Sequence, residues 1–283
     1  MSTIPEGYRG LIAQLSVLYD AGEAASIARI VFEDALGIAN FTRQEALSEA
    51  QEARLHSIAV RLQQGEPVQY VLGQADFYGL KLKVDRRVLI PRQETEELVH
   101  WILEENDARP RRVLDLGTGS GCIPLALKKH RPAWQVEALD LSLDALEVAR
   151  ENARLNDLEV VFYAVDILEE SGWPALGAYD LIVSNPPYIP PAEAQLMPLW
   201  VLEHEPHLAL FVEEGQPLRF YEAIAAFACI ALNSGGALYF ELNEHRADEV
   251  GQLLRQKGFT SIELKQDLNG KTRMARGWAA GGG

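Results

Sequence analysis

The sequence predicts an α/β fold, a mostly parallel sheet with helices on both faces, preceded by a small all-α domain. Three observations lead there. After Pro110, short apolar runs alternate with stretches of helical periodicity, the pattern of strand–helix–strand units. Residues 1–73 carry helical periodicity with few strand signals. The first strand of the alternating region runs straight into Gly117-Thr118-Gly119-Ser120-Gly121, a loop whose glycines permit a tight turn into a following helix.

In chain order, residues 8–19 place Leu11, Ile12, Leu15, Leu18 and Tyr19 on one helical face, and 23–36 repeat the pattern with Ala24, Ile27, Ile30, Val31 and Leu36. Thr42-Arg43-Gln44-Glu45 fits a capping box and predicts a third helix over 44–64, ended by Gly65-Glu66-Pro67. From 76 to 90 the period changes to two, with Gly79 as the turn, so 74–92 reads as a β-hairpin linker. A helix follows over 95–104. Beyond Pro110, strands are expected at 113–116, 136–140, 160–164, 179–184, 237–241 and 261–264. Helices are expected at 123–130, 143–155, 220–232 and 246–257. The domain boundaries that follow are 1–73, 74–92 and 93–283.

Hydrophobic content of 48% and charged content of 24% suit a soluble globular protein. The two cysteines, Cys122 and Cys229, form no disulfide framework and are expected as small buried residues in a reducing compartment. Residues 1–10 lack a signal-peptide core, and the longest apolar run, 223–232, is too short to span a bilayer, so a cytoplasmic enzyme is expected. The net charge of −15 is uneven: −1 over residues 1–92 and −14 over 93–283. Nucleic-acid affinity depends on Lys and Arg neutralising phosphates, so such an acidic half argues against a duplex substrate. His204 and His207, flanked by Glu203 and Glu205, match no metal-ligand spacing. His56, His100, His130 and His245 look ordinary.

Ligands of open α/β sheets bind outside the carboxyl ends of the strands. There the G-x-G-x-G loop follows an acid, Asp115, and a dinucleotide fingerprint fails because Cys122 stands where a glycine is needed. The loop resembles motif I of S-adenosyl-L-methionine (AdoMet) dependent methyltransferases. Asp140 ends the second strand, where a carboxylate can accept both hydroxyls of a ribose. Asp166 follows the third, placed to reach an exocyclic amine. Asn185-Pro186-Pro187-Tyr188 ends the fourth. Asn185 offers a carbonyl acceptor, the two prolines stiffen the backbone and expose only acceptors, and Tyr188 can cover a flat group. Together they suit a planar nitrogen, which two acceptors would orient while charge grows on it.

Three further stretches extend the resemblance over almost the whole chain: Gln69-Tyr70-Val71-Leu72-Gly73, then Val88 through Glu96 (VLIPRQETE), then Asn185-Pro186-Pro187-Tyr188-Ile189. The chain resembles the release-factor glutamine N5-methyltransferases. That resemblance implies a class I methyltransferase fold (Rossmann-like, seven-stranded) and an N-terminal domain that docks a protein substrate. It implies AdoMet as donor and S-adenosyl-L-homocysteine as product, with class 1 peptide chain release factors as partners and the glutamine of their Gly-Gly-Gln motif as acceptor. The cofactor set it implies is Asp115, Gly117, Thr118, Gly119, Ser120, Gly121, Asp140, Asp166, Ile167 and Asn185, and the glutamine set is Asn185, Pro186, Pro187 and Tyr188. Of these, Asn185, Pro186 and Tyr188 carry the catalytic role. A monomer is expected, with neither membrane nor nucleic acid as partner. Two positions depart from the family pattern. Ile167 stands where Trp is common, and Gln93 where Pro is usual. Residues 190–216 are expected as a long loop acting as a lid. Three alternatives stay open: a glutamine methyltransferase acting on a ribosomal protein, an adenine-N6 methyltransferase of DNA or rRNA that presents the same motif to a flipped base, and a non-catalytic AdoMet- or nucleotide-binding module.

Overall fold

The computed structural model describes residues 2–280. The chain divides into two compact units, one comprising 1–74 with 198–204 and the other 75–197 with 205–283.

The first unit is helical. Helix α1 (Ile4–Leu15) starts in a capping box made by Thr3 and Glu6, and α2 (Ala21–Ile30) is capped by Asp20 and runs on into a wider turn, Val31–Ala35. Helix α3 is Glu49–Gln63, not 44–64. Its capping box is Ser48 with Gln51, whereas the Thr42 hydroxyl and N–H both donate to Asn40 in a turn. A hydroxyl followed three residues on by Glu is thus a capping signal only where a helix begins. A short α4 (Val68–Leu72) ends at Gly73 in the left-handed conformation. The Arg61 guanidinium pairs with Glu66 and donates to the carbonyls of Tyr70 and Val71, which fixes the Gln69-to-Gly73 stretch. Leu11, Leu15, Phe32, Leu47 and Leu62 form the core.

The second unit opens with the hairpin β1 (Gln74–Phe77) and β2 (Leu80–Lys83), turning at Tyr78-Gly79, both at positive φ. The hairpin carbonyls of Lys83 and Lys81 accept from Asn152 and Asn156. Helix α5 (Gln93–Glu105) follows, then β3 (Arg112–Leu116), α6 (Cys122–His130), β4 (Gln135–Asp140), α7 (Leu143–Leu155), β5 (Val161–Ala164) and β6 (Tyr179–Ser184). Residues 190–216 are not structureless: they hold α8 (Leu199–His204), which groups with the first unit, and residue Ile189 bridges to Phe211. Last come α9 (Arg219–Ala231), β7 (Leu232–Glu241), α10 (Ala247–Gln256), β8 (Thr260–Gln266) and β9 (Thr272–Trp278).

The sheet has seven strands in the order β5-β4-β3-β6-β7-β9-β8, with β3 to β7 parallel and β9 antiparallel to both neighbours. Alternation along each strand sends Leu114, Leu116, Ile182 and Phe240 to the face covered by α9 and α10. It sends Val113, Leu181, Val183 and Tyr239 to the other face, with Trp101 and Leu98 of α5. Each such side chain contributes about 1.5–3 kcal/mol on burial. The seventh strand, β9, was not predicted because Arg273, Arg276 and Gly277 interrupt its apolar pattern. The Arg276 guanidinium is buried, stacked on Trp101, Tyr239 and Trp278 and paired with Glu263 and Glu105. The cysteines are less buried than expected: Cys122 is half-buried and Cys229 is exposed on α9.

Candidate functional site

The chain leaves β3 for β4 and β5 on one side of the sheet and returns to β6 on the other. The crevice at the carboxyl ends of β3 and β6 is therefore the topological switch point. Register brings the motifs together there. Leu116 pairs with Leu139 on one side and with Ser184 on the other, and Ser184 pairs with Phe240. The residues just past these pairs are Gly117, Asp140, Asn185 and Glu241. A cavity of about 450 Å³ opens among the first three of them, within the usual range for a small-molecule site.

The glycine loop is pinned by the next strand: the N–H groups of Gly117 and Thr118 both donate to the Leu139 carbonyl, and the Gly119 N–H donates to Asp140 at 2.8 Å. Gly117 and Gly119 sit at positive φ (73° and 53°), and a Cβ on either would meet no protein atom within 4 Å. Positive φ accounts for glycine there, and the free space above them belongs to a ligand-sized cavity. Gly121 is different. It caps α6 at φ 80°, and its Cβ would press on Ala149 at 3.2 Å, so it serves packing.

Asp140 accepts from Gly119 with one oxygen and from Ser142 with the other. The Leu141 N–H is a third backbone donor, and a carboxylate with about four acceptor sites can still take a ligand hydroxyl. Burial raises its pKa, against the pull of those backbone donors. Asp166 accepts from the Leu168 N–H and lines the cavity beside Ile167, which is buried, with Leu141 and Val165 nearby. Trp173, six residues on, donates its indole N–H to the Ile167 carbonyl and packs in the core. Asp115 stands behind the loop, fully buried. The Thr118 hydroxyl is the one side chain that meets it, a loose contact that falls short of a well-formed hydrogen bond. Burial pushes the Asp115 pKa up to about 7, against the pull of Thr118 and with Asp140 adding repulsion.

At the other end of the cavity lies Asn185. Its side-chain N–H donates to Thr95 Oγ1 at 3.2 Å, and the Thr95 hydroxyl donates to Glu241 at 2.6 Å. Pro186 and Pro187 line the cavity next to it. Tyr188 does not line it among the described residues: its ring packs against the core on the α9 face, and its hydroxyl donates to Glu241 at 3.4 Å. Burial and the Glu241 charge hold the Tyr188 pKa far above its usual range. Sequence reasoning missed Thr95 and Glu241 as parts of the site. The available signal was an acid closing the apolar run Ala237-Leu238-Tyr239-Phe240 level with the Asn-Pro-Pro-Tyr turn.

Residues 94–205 match the methyltransferase small domain family, and residues 12–73 match the PrmC N-terminal domain family. Relatives named release factor glutamine methyltransferase are similar along most of their length. That of Bacteroides thetaiotaomicron is 39% identical over 92% of this chain and 94% of its own. That of Streptococcus pneumoniae is 46% identical over 82% of each. The chain belongs to the release factor glutamine methyltransferase family. It is thus an enzyme of the methyltransferase class, with the class I methyltransferase fold. Solved structures agree on that fold alone. A methyltransferase from Pyrococcus furiosus matches with TM-score 0.52 at 18% identity, over 82% of this chain and all of that one. A 16S rRNA methyltransferase of T. thermophilus, in complex with AdoMet and guanosine, matches with TM-score 0.53 at 18% identity, over 73% of this chain and 49% of that one. Within this member of the family, no helix among the described residues is long and apolar enough to cross a membrane, and no group of three or more His, Cys, Asp or Glu there is placed to hold a metal ion.

Proposed function

We propose that this protein transfers a methyl group from AdoMet to the side-chain amide N5 of the glutamine in the Gly-Gly-Gln motif of class 1 peptide chain release factors. The observation that carries this reading is the polarity of Asn185. Its amide N–H is engaged by Thr95, so its carbonyl oxygen is the group left for a ligand at the end of the cavity that begins at the glycine loop.

The residues present fit AdoMet. Open space over Gly117 and Gly119 admits close approach of a ligand, and the N-terminal turn of α6 adds N–H donors. Asp140 keeps acceptor capacity for a ribose hydroxyl, and Asp166 beside Ile167 and Leu141 suits an adenine amine and ring. Asp115, Thr118 and Ser120 complete the set from behind and within the loop. When bound, AdoMet supplies a methyl group on a sulfonium. Asn185 Oδ1 and the Pro186 carbonyl accept the two N–H bonds of the glutamine amide, which turns the nitrogen lone pair toward the cavity and stabilises positive charge growing on nitrogen. The transfer would exchange the C–S bond of the sulfonium for a C–N bond, leave S-adenosyl-L-homocysteine as product and pass one proton from the nitrogen to water. No strong general base is needed, because the alkylated amide is acidic. Pro187 and Tyr188 stiffen the turn, and the Tyr188 hydroxyl is tied to Glu241.

Residues 1–73 are the docking domain for the release factor on this reading, 93–283 the methyltransferase domain, and the enzyme acts as a monomer in the cytoplasm, where release factors work. Incubation with labelled AdoMet and a release factor tests it. Label is expected on the wild-type factor and absent from one carrying Ala in place of the Gly-Gly-Gln glutamine. Label on the altered factor would refute the acceptor assignment, and label confined to a ribosomal protein would favour that substrate instead.

A further inference from the structure

We propose that Glu241 and Thr95 are positioning residues that fix the polarity of the Asn185 side chain, so that its oxygen and not its NH2 faces the methyl acceptor. This deepens the reading above and rests on it for the identity of the acceptor.

A side-chain amide has two ends of nearly equal size, and a half-turn exchanges them. At this site the exchange would be costly. A primary amide acceptor presents two N–H bonds, and an Asn185 NH2 aimed at them would set donor against donor. Packing alone does not distinguish the two orientations; hydrogen bonding does. The three groups come from three elements: Thr95 from the first turn of α5, Asn185 from the end of β6, and Glu241 from the end of β7. Thr95 is 2% exposed and Glu241 2% exposed, so neither exchanges its partner for water. A hydroxyl has one hydrogen. That of Thr95 goes to Glu241 Oε2 at 2.6 Å, so toward Asn185 it can only accept, and it accepts Nδ2–H at 3.2 Å. An ionised carboxylate only accepts, so polarity passes from Glu241 through Thr95 to Asn185. The Tyr188 hydroxyl holds the other oxygen of Glu241 at 3.4 Å, and the Tyr221 hydroxyl donates to the Glu241 main-chain carbonyl at 3.2 Å.

The charged and titratable groups around Glu241 are Glu94 on α5, Cys122 at the start of α6, Tyr188 after β6, Tyr221 on α9 and Arg273 on β9. Burial pushes the Glu241 pKa up to about 7, helped by Glu94 and opposed by Thr95, Arg273 and Tyr188. When protonated, Glu241 can donate to Thr95. The Thr95 hydrogen is then free to turn to Asn185, and the amide can invert. The relay is set above about pH 7 and loosened below it.

Five proteins test this: wild type, Thr95→Ser, Thr95→Val, Glu241→Gln and, for signal assignment, Asn185→Ala. The Asn185 side-chain amide protons, assigned by their loss in Asn185→Ala, are followed by NMR without substrate, and kcat is measured beside the AdoMet Kd. In wild type the amide signal should titrate near pH 7 and kcat should rise through the same range. In Glu241→Gln both should be flat from pH 6 to 8. Thr95→Val should lower kcat by about 100-fold, the scale of one lost transition-state contact, with a far smaller change in AdoMet Kd. Thr95→Ser, which keeps the hydroxyl, should restore most of it. A Thr95→Val enzyme with wild-type kcat, a Thr95→Ser enzyme as impaired as Thr95→Val, or an Asn185 amide signal insensitive to Glu241→Gln would each overturn the proposal. If wild type methylates no glutamine, the substrate reading falls, while the substrate-free amide titration still decides the positioning role.

Discussion

Strand β6 carries the Asn-Pro-Pro-Tyr turn, and a buried acid lies on each side of it: Asp115 in β3 and Glu241 at the end of β7. Both are fully enclosed, and burial pushes both pKa values up to about 7. Their surroundings differ. Glu241 accepts from Thr95 and Tyr188, so the protein itself completes its hydrogen bonding. Asp115 has only a loose contact with the Thr118 hydroxyl and no well-formed hydrogen bond on either oxygen, and Asp140 adds repulsion. Leaving a buried polar group unmade costs about 1–3 kcal/mol, more for a charge. The Asn185 end of the cavity is thus tied by complete hydrogen bonds, whereas beside the glycine loop a buried carboxyl is left short of them, a deficit that a cationic ligand can relieve.

Replacing Asp115 by Asn separates these two ends with the largest expected effect. The change keeps the shape and removes the charge, so AdoMet, whose sulfonium and ammonium are cationic, should bind about tenfold or more weakly by calorimetry, ~1.4 kcal/mol or more. Unchanged affinity would make Asp115 a structural acid. The ligand-free protein should meanwhile lose no stability at pH 8, because a charge held in the interior is removed.

A smaller effect lies in the pH dependence of stability. A carboxyl whose folded pKa is raised binds its proton more tightly in the native state. The stability it contributes is fully present below the unfolded value, near 4, and is lost as pH climbs toward about 7. Carboxylates held below the usual range, such as Asp85, Glu151 and Glu244, act at lower pH and with the opposite sign, so the window from 5.5 to 8 lies above them. The ligand-free melting temperature should fall across that window by on the order of 5 °C. Asp115→Asn should lessen the slope and leave the part due to Glu241. An Asp115→Asn protein with the wild-type slope would show that Asp115 does not titrate there.

The same contrast explains what could be read from the sequence. The glycine loop, Asp140, Asp166 and the Asn185 turn were legible because each is a local pattern at a strand end, and register then brings them into one crevice. The Glu241–Thr95 pair was not, since it joins residues 146 positions apart, and an acid after an apolar run reads as an ordinary strand terminus. Tyr188 was expected over the substrate because an aromatic ring after two prolines suggests a cover. Its ring instead packs against the core, where the Glu241 carboxylate offers its hydroxyl a partner. Strand β9 escaped notice because burying Arg276 depends on partners in β8 and α5, which no local window contains.

The smallest effect concerns the wall of the cavity that follows α8. Glu205 has a fully buried side chain. It pairs with Arg92 at 2.6 Å and accepts from the Ile90 N–H at 3.3 Å. Beyond it, Pro206, Leu208, Phe211 and Val212 line the cavity, and the Val212 N–H donates back to the Ile189 carbonyl. One carboxylate thus clasps the segment to residues 90–92, while strands β6 and β7 hold the turn from beneath. Glu205→Gln can still accept from Ile90 but loses the charge that meets Arg92. Because Arg92 is partly exposed, the cost is set at about 1 kcal/mol, the upper end for an exposed ion pair. The amides of Ile189 and Val212 should then exchange with solvent roughly fivefold faster, with those of Ile182 and Val183 in β6 unchanged. Equal acceleration in β6 would mean that Glu205 supports the whole sheet edge, and no acceleration at Val212 would mean that the segment is held by its apolar contacts alone.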